Sequence, residues 1–251
     1  MNQSMDGKVV LVVGGAGSIG AAAAIRFAEL GARVAISHRD VPEETIAAAK
    51  VVGTLPGEGH AALVADVART DTLTVLRVEI ERRFGRLDVL VNAAGFTKPV
   101  PHADLEALDD DLIDRMFAVN WRGQFATIRT FAPLLKASGD GLIVSMSSIA
   151  GSNGIGSSIA YCAAKAGIDV MTKSLARVLA PEVRVLAVAP GVVDTSFVPG
   201  RSADFNAKTA ATTPLKRIAT SEDIASAIFA CASQLGFATG TTLVVDGGRS
   251  L

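Results

Sequence analysis

Tyr161 is the only tyrosine in this chain of 251 residues, and Lys165 follows it by four positions. On a helix, residues four apart share a face, so a phenol and an ammonium at this spacing can meet. A phenol titrates near ~10 in water, and a neighbouring cation favours its ionised form. The pair can therefore pass protons near neutral pH. Taken alone, the spacing more often marks a half-buried ring on an amphipathic helix beside a solvated lysine.

A second constellation opens the chain. Gly14-Gly15-Ala16-Gly17-Ser18-Ile19-Gly20 follows directly on an apolar run and leads into a helical pattern that begins near Ser18. Glycines let the backbone turn tightly and approach a pyrophosphate, and a helix N-terminus offers free N–H groups to its charge. A strand before and a helix after give the context of a dinucleotide-binding turn, with Gly14, Gly17, Ser18, Ile19 and Gly20 as contacts. Ser18 is also placed to cap the helix. Farther on, Ile36-Ser37-His38-Arg39 lacks the carboxylate that would bind a ribose 2′-hydroxyl, and His38 stands in its place. Arg39 with Ser37 offers charge-assisted hydrogen bonds to a 2′-phosphate, so NADP(H) is expected over NAD(H), with Asp40 partly neutralising the arginine.

Apolar, β-branched runs at 8–13, 33–37, 61–65, 87–91, 141–146, 183–189 and 241–246 alternate with helical patterns near 18–30, 42–52, 70–84, 109–136, 158–180 and 221–235. Continuous apolar strands suit a parallel sheet covered on both faces. The alternation predicts right-handed βαβ crossovers in a doubly wound, Rossmann-like α/β fold forming a single domain over 1–251. The stretch 195–216 breaks this rhythm, with Pro199, Gly200 and Pro214 and no clear period, and is expected to be a substrate lid. The run Asp109-Asp110-Asp111 reads as dipole-favourable charge at a helix start.

Composition narrows the function classes. The net charge is −1 and no basic run occurs, so neither nucleic acid nor an anionic membrane surface is an expected partner. No apolar stretch approaches the ~18 residues that a membrane span needs. The start, MNQSMDGK, lacks the basic and apolar regions of a signal peptide. Two cysteines, Cys162 and Cys231, are too few for a disulfide framework, which fits the cytoplasm. His38, His60 and His102 have no zinc-ligand spacing, so no metal is expected.

Further pieces join the first two. Asp66-Val67, Asn92-Ala93-Ala94-Gly95, Asn120, Ser147-Ser148, Pro190-Gly191 and Val245-Asp246-Gly247-Gly248 occur in this order, and Ser148 stands thirteen residues ahead of Tyr161. With them the chain resembles the short-chain dehydrogenase/reductase family, in its single-domain branch, over essentially its whole length. The resemblance implies that Tyr161 exchanges a proton with a carbonyl or alcohol oxygen. It implies that Lys165 lowers the tyrosine pKa and holds the nicotinamide ribose, while Ser148 donates to the reacting oxygen. Asn120 resembles the fourth member, fixing a water that links Lys165 to solvent; a polar helix residue bonding nearby backbone is the alternative. Asp66 and Val67 would meet the adenine, with Asp66 equally suited to cap a helix. Asn92, Ala93, Ala94 and Gly95 would run along the cofactor, and Pro190, Gly191, Val193 and Thr195 would meet its carboxamide end. A homotetramer packed through 109–136 and 158–180 is implied as well.

Three positions depart from the family pattern. Val13 replaces a usual threonine, Ser18 a usual glycine, and Leu186 a usual asparagine for which the sequence suggests no function. For the substrate, Phe96, Ile149, Ile155, Phe197 and Phe205 favour an uncharged or weakly polar ketone or secondary alcohol. The second reading is a reductase of 3-oxoacyl groups on acyl carrier protein, for which Arg122, Arg129 and Lys136 form a basic stripe. Gly139 and Glu182, where that partner would want arginines, argue against it. A cofactor-binding sensor without catalysis is the non-enzymatic alternative, and it gives no reason to keep Asn120, Ser148, Tyr161 and Lys165 together.

Overall fold

The computed structural model describes residues 4–200, 202 and 204–251; Arg201 and Ala203, inside the expected lid, lie outside the described residues. Among these, seven strands form one all-parallel sheet: Val9–Val13 (β1), Arg33–His38 (β2), Ala61–Val64 (β3), Val89–Asn92 (β4), Gly141–Met146 (β5), Val183–Pro190 (β6) and Thr241–Val245 (β7). The order is β3-β2-β1-β4-β5-β6-β7. The helices are Ser18–Glu29 (α1), Pro42–Thr54 (α2), Thr70–Phe84 (α3), Asp110–Phe117 (α4), Gly123–Ala137 (α5), Ala150–Asn153 (α6), Ile159–Leu179 (α7), Phe205–Thr212 (α8) and Ser221–Ser233 (α9).

Alternate residues of each strand feed two cores, as the period of a strand requires. Leu11, Leu90, Ile143 and Val185 pack under α3, α5 and α7. Val12, Val91, Val144 and Val188 pack under α1, α2 and α9. Leu186 belongs to the second set and is 1% exposed, so the residue without a functional reading is a core residue. Val13, likewise, is buried in the first set.

The strand order reverses between β1 and β4, where connections diverge to opposite sides and a crevice opens outside the strands' C-terminal ends. All strands being parallel, the Gly-rich turn, Asn92–Gly95, Ser148 and Pro190-Gly191 gather on that one edge.

At the opposite edge Asp88, 1% exposed, ties the starts of β1 and β4 together. It accepts from the backbone N–H of Val9 at 2.9 Å, from Lys8 at 3.2 Å and from Arg86 at 2.6 and 2.9 Å. Burial works to raise its pKa, but Arg86, the Val9 N–H and Lys8 prevail and hold it below the usual aspartate value. A depressed carboxyl stabilises the fold above its unfolded pKa and loses that contribution as pH falls through the folded one. Asp88→Asn is therefore expected to cost about 2–3 kcal/mol in urea unfolding at neutral pH, a difference that shrinks in acid.

Three expectations change. The helix expected over 109–136 is interrupted by a π-helical turn, Ala118–Arg122, between α4 and α5. There Asn120 bonds a neighbouring loop, and a Cβ on Gly123 would lie 2.9 Å from the Val67 side chain. The one-turn α6 is additional, too short to leave a periodic signal. The 195–216 stretch is not wholly irregular, since α8 lies within it. Asp109 caps α4 by accepting from the Leu112 N–H at 2.8 Å, which accounts for the acidic run.

Candidate active site

Gly17 is the N-cap of α1, with no side chain satisfying the first-turn donors. Ser18 is the first helical residue rather than the cap, which corrects that expectation; the cap position has no hydroxyl to compete for the free N–H groups. Gly14 has φ +79°, and a Cβ there would stand 2.6 Å from the Ala94 nitrogen. A Cβ on Gly20 would stand 2.4 Å from the Gly14 carbonyl oxygen. The Gly14-x-x-Gly17-x-x-Gly20 spacing thus lets the turn fold onto both α1 and the 93–95 segment. The exposed Gly17 and open helix terminus fit a pyrophosphate.

Side chains beside this cradle divide by burial. Ile19 is partly buried against the α1–α9 core. Asn92, 1% exposed, turns inward next to Ser145 in the sheet register, leaving Ala93, Ala94 and Gly95 toward the crevice. Val67 and Val193, each 7% exposed, are core residues, so only their backbone can meet a cofactor. Pro190 ends β6, and Gly191 follows so closely against Asp246 that a Cβ would lie 2.8 Å from its own. Thr195 Oγ1 accepts from the Phe197 N–H at 3.4 Å at the start of the lid.

At the end of β2 the arrangement differs from expectation. Ser37 is 1% exposed and its hydroxyl is enclosed; its carbonyl accepts from Gly14 and Gly15, both at 3.1 Å. This corrects the expectation of a Ser37 hydroxyl on a 2′-phosphate. His38 is also buried, its Nδ1–H donating to the Arg39 carbonyl at 2.8 Å. Arg39 is exposed but held by Glu44: Nε donates to Oε1 at 2.8 Å, Nη2 donates to the same oxygen, and the Arg39 N–H donates to Oε2 at 2.8 Å. Asp66 accepts from the Ala68 N–H at 2.9 Å in a local turn, whereas Arg69 is the N-cap of α3, so Asp66 is not the cap.

The residues expected to exchange protons lie on α7, Tyr161 and Lys165, and on the loop after β5, Ser148. Ser158 caps α7 by accepting from the Tyr161 N–H at 3.2 Å, which fixes the tyrosine in the first turn. A Cβ on Gly151 would be 2.7 Å from the Ala166 nitrogen and from the Lys165 carbonyl carbon. The segment carrying Ser148 therefore seats backbone to backbone on the helix carrying Tyr161 and Lys165. Ser148 Oγ accepts from the Ala150 N–H at 3.2 Å and stays partly exposed.

Lys165 is 3% exposed; its Nζ donates to the Met146 carbonyl at 2.6 Å and lies 5.5 Å from the centre of the Tyr161 ring. Burial lowers its pKa to about 8, with Asp169 opposing the fall. Asn120, fully buried, clamps the loop above: Oδ1 accepts from the Phe96 N–H at 3.0 Å, and Nδ2 donates to the Phe96 and Met116 carbonyls at 2.8 and 3.0 Å. Its side chain thus does the backbone bonding foreseen as the alternative.

An apolar patch of Val100, Leu112, Met116, Ala160 and Ala164 packs with Phe96 and Tyr161. The Phe197 ring approaches to 6.2 Å of the Tyr161 ring, between it and Gly95. Ile155 is 76% exposed and Ile149 is buried, while Phe96 and Phe197 of the expected wall flank the tyrosine.

A family profile described as enoyl-(acyl carrier protein) reductase matches residues 14–250. The chain is 39% identical over 252 residues to cis-4-hydroxycyclohexanecarboxylate dehydrogenase of Sinomonas cyclohexanicum, covering 99% of this chain and 98% of that one. It is 32% identical over 247 residues to the 3-oxoacyl-(acyl-carrier-protein) reductase FabG of Thermotoga maritima, covering 97% and 98%. A dehydrogenase/reductase structure from Sinorhizobium meliloti superposes with a TM-score of 0.88 at 32% identity, over 100% of this chain and 98% of that one. The chain belongs to the short-chain dehydrogenase/reductase family. It is accordingly an oxidoreductase of the alcohol–ketone type.

Within this dehydrogenase/reductase, sequence reasoning missed four supporting groups. The Met146 carbonyl and Gln124, whose Nε2 lies 3.5 Å from that carbonyl, are neighbours of the Lys165 ammonium. No local pattern reveals either, because the contacts cross from helix to strand. Ser158 did carry a signal, a serine three residues ahead of Tyr161 at cap spacing. Glu44 lay five residues beyond Arg39, at the start of the expected second helix.

Proposed function

We propose that this protein reduces an uncharged ketone, or oxidises the matching secondary alcohol, with Tyr161 as the group that exchanges the proton. The observation that carries the reading is the buried Lys165 ammonium beside the Tyr161 ring, on the edge of the sheet that also bears the glycine cradle. A nicotinamide dinucleotide would supply or accept the hydride. Gly14, Gly17, Ser18, Ile19 and Gly20 would hold its pyrophosphate; Asp66 and the Val67 backbone would flank its adenine. Ala93, Ala94 and Gly95, supported by Asn92, would line its path, and Pro190, Gly191, Val193 and Thr195 would meet its far end. Tyr161 gives its phenolic proton to the carbonyl oxygen as the carbon is reduced; Ser148 donates to the same oxygen while negative charge develops there. Lys165 favours the phenolate that remains. Asn120, by fixing the Phe96 segment, holds that side of the cleft.

NADP(H) is the favoured cofactor, because Arg39 follows directly on β2 and no carboxylate takes the place of His38, but the pairing of Arg39 with Glu44 weakens that preference. Phe96 and Phe197 around the tyrosine favour an apolar ring or chain next to the carbonyl. The decisive experiment follows the absorbance of NADPH against a panel of cyclic ketones and 3-oxoacyl thioesters, with NADH in parallel. Turnover of cyclic ketones is expected, and its absence from the whole panel would sink the reading. The relatives that are 3-oxoacyl-carrier reductases favour that substrate class as the second reading, which the same panel separates. Arg122, Arg129 and Lys136 are all exposed as it requires, but so is Glu182.

We also infer one domain over 1–251 and a homotetramer packed through α4, α5 and α7. Val170 and Val178 of α7 support this, being apolar and yet 62% and 66% exposed. Sedimentation as a stable monomer would rule the assembly out.

A further inference from the structure

We propose that Glu44 is a specificity-determining residue: it holds Arg39 in a closed pair and so suppresses discrimination in favour of a 2′-phosphorylated dinucleotide. The inference rests on the cofactor site assigned above and sharpens its chemistry.

The end of the second strand is where a Rossmann-type fold meets the ribose 2′ position, and an arginine there accommodates a 2′-phosphate by presenting a fork of donors. In this chain one such fork is already filled. Nε and Nη2 of Arg39 both donate to Oε1 of Glu44, and the Arg39 backbone N–H donates to Oε2. Glu44 sits in the first turn of α2, where the helix dipole favours its charge. Its side chain is 31% exposed, against 56% for Arg39, so the carboxylate is the more anchored partner. The charges agree with the geometry. Burial works to raise the Glu44 pKa, but Arg39 holds it below the usual carboxylate range, and Asp66 adds a further negative charge that acts on Arg39.

An incoming phosphate dianion thus meets a nearly neutral ion pair rather than a free cation. To gain the fork it must displace a carboxylate held by three hydrogen bonds, and it is repelled by that carboxylate until it does. A 2′-hydroxyl meets neither obstacle. The other two residues of this corner offer nothing to the phosphate, since the side chains of Ser37 and His38 are both buried.

The test measures dinucleotide affinity by fluorescence quenching of the single tryptophan, Trp121, with no substrate present. In Glu44→Gln, the dissociation constant for NADPH is expected to fall about tenfold while that for NADH stays within about twofold. In an Arg39→Gln background the same Glu44 change is expected to give a smaller gain, from lost repulsion alone, because the guanidinium it releases is missing. An unchanged NADPH affinity in Glu44→Gln, with the fold intact by circular dichroism, would overturn the proposal. So would a tenfold loss of NADH affinity, which would show Glu44 gripping the ribose hydroxyl itself. Failure of the wild type to bind either dinucleotide would instead overturn the cofactor site, and this proposal with it.

Discussion

Tyr161→Phe is expected to lower kcat for carbonyl reduction by roughly 10³-fold while leaving NADPH affinity within about twofold. The substitution removes one oxygen and keeps the ring. The ring packs with Phe96 in the apolar patch and faces Phe197, so thermal stability is expected to change little. A loss confined to kcat means the hydroxyl acts in the transition state, whereas a structural role would appear as lost stability or cofactor binding. Rapid-mixing measurement of a single turnover checks the chemical step directly. Undiminished turnover in this variant would remove Tyr161 from the mechanism.

Lys165→Met carries the second large effect, and its diagnostic is pH. The wild-type ammonium, lowered to about 8 by burial against the weaker opposing pull of Asp169, is charged below that pH and neutral above it. Once it is neutral, Tyr161 loses the neighbouring charge that favours phenolate, so kcat/KM for reduction is expected to fall about tenfold per pH unit above the limb. In Lys165→Met the rate is expected to drop about 10²- to 10³-fold at neutral pH and to show no limb near 8, since no charge remains to be lost. Stability gives an independent readout. A lysine whose pKa is lower folded than unfolded binds its proton more tightly in the unfolded chain. Wild-type stability is therefore expected to rise as pH passes from about 8 to 10.5, and Lys165→Met to lack that rise. A limb that persists in the variant would assign it to another group.

These residues were legible because their signals are local. The four-residue spacing of Tyr161 and Lys165 needs only a helix, and the glycine turn needs only the strand and helix that flank it. The strands of the sheet were legible for a related reason: burial on both faces makes each a continuous apolar run. What escaped was whatever depends on contacts between distant segments. The π-turn at Ala118–Arg122 follows from Asn120 bonding Phe96 and from Gly123 pressing on Val67, which no periodicity within 109–136 encodes. The occupation of Arg39 escaped because Asp40 was the nearer acid, yet the backbone brings Glu44 to the guanidinium instead. Ser37 was misread because β2 is buried on both faces up to its last residue, so neither Ser37 nor His38 presents its side chain to solvent.

The seating of Gly151 on Lys165 has a consequence for how this enzyme can be altered. Helices α6 and α7 meet there through main-chain atoms, a joint that tolerates no added side chain. The 195–216 segment reaches the same centre by way of a phenyl ring, Phe197. On the function proposed above, substrate range and proton chemistry are held by separable parts. Grafting a different segment between Thr195 and Lys216 is expected to retune which ketone is accepted while Tyr161, Lys165 and their spacing stay as they are.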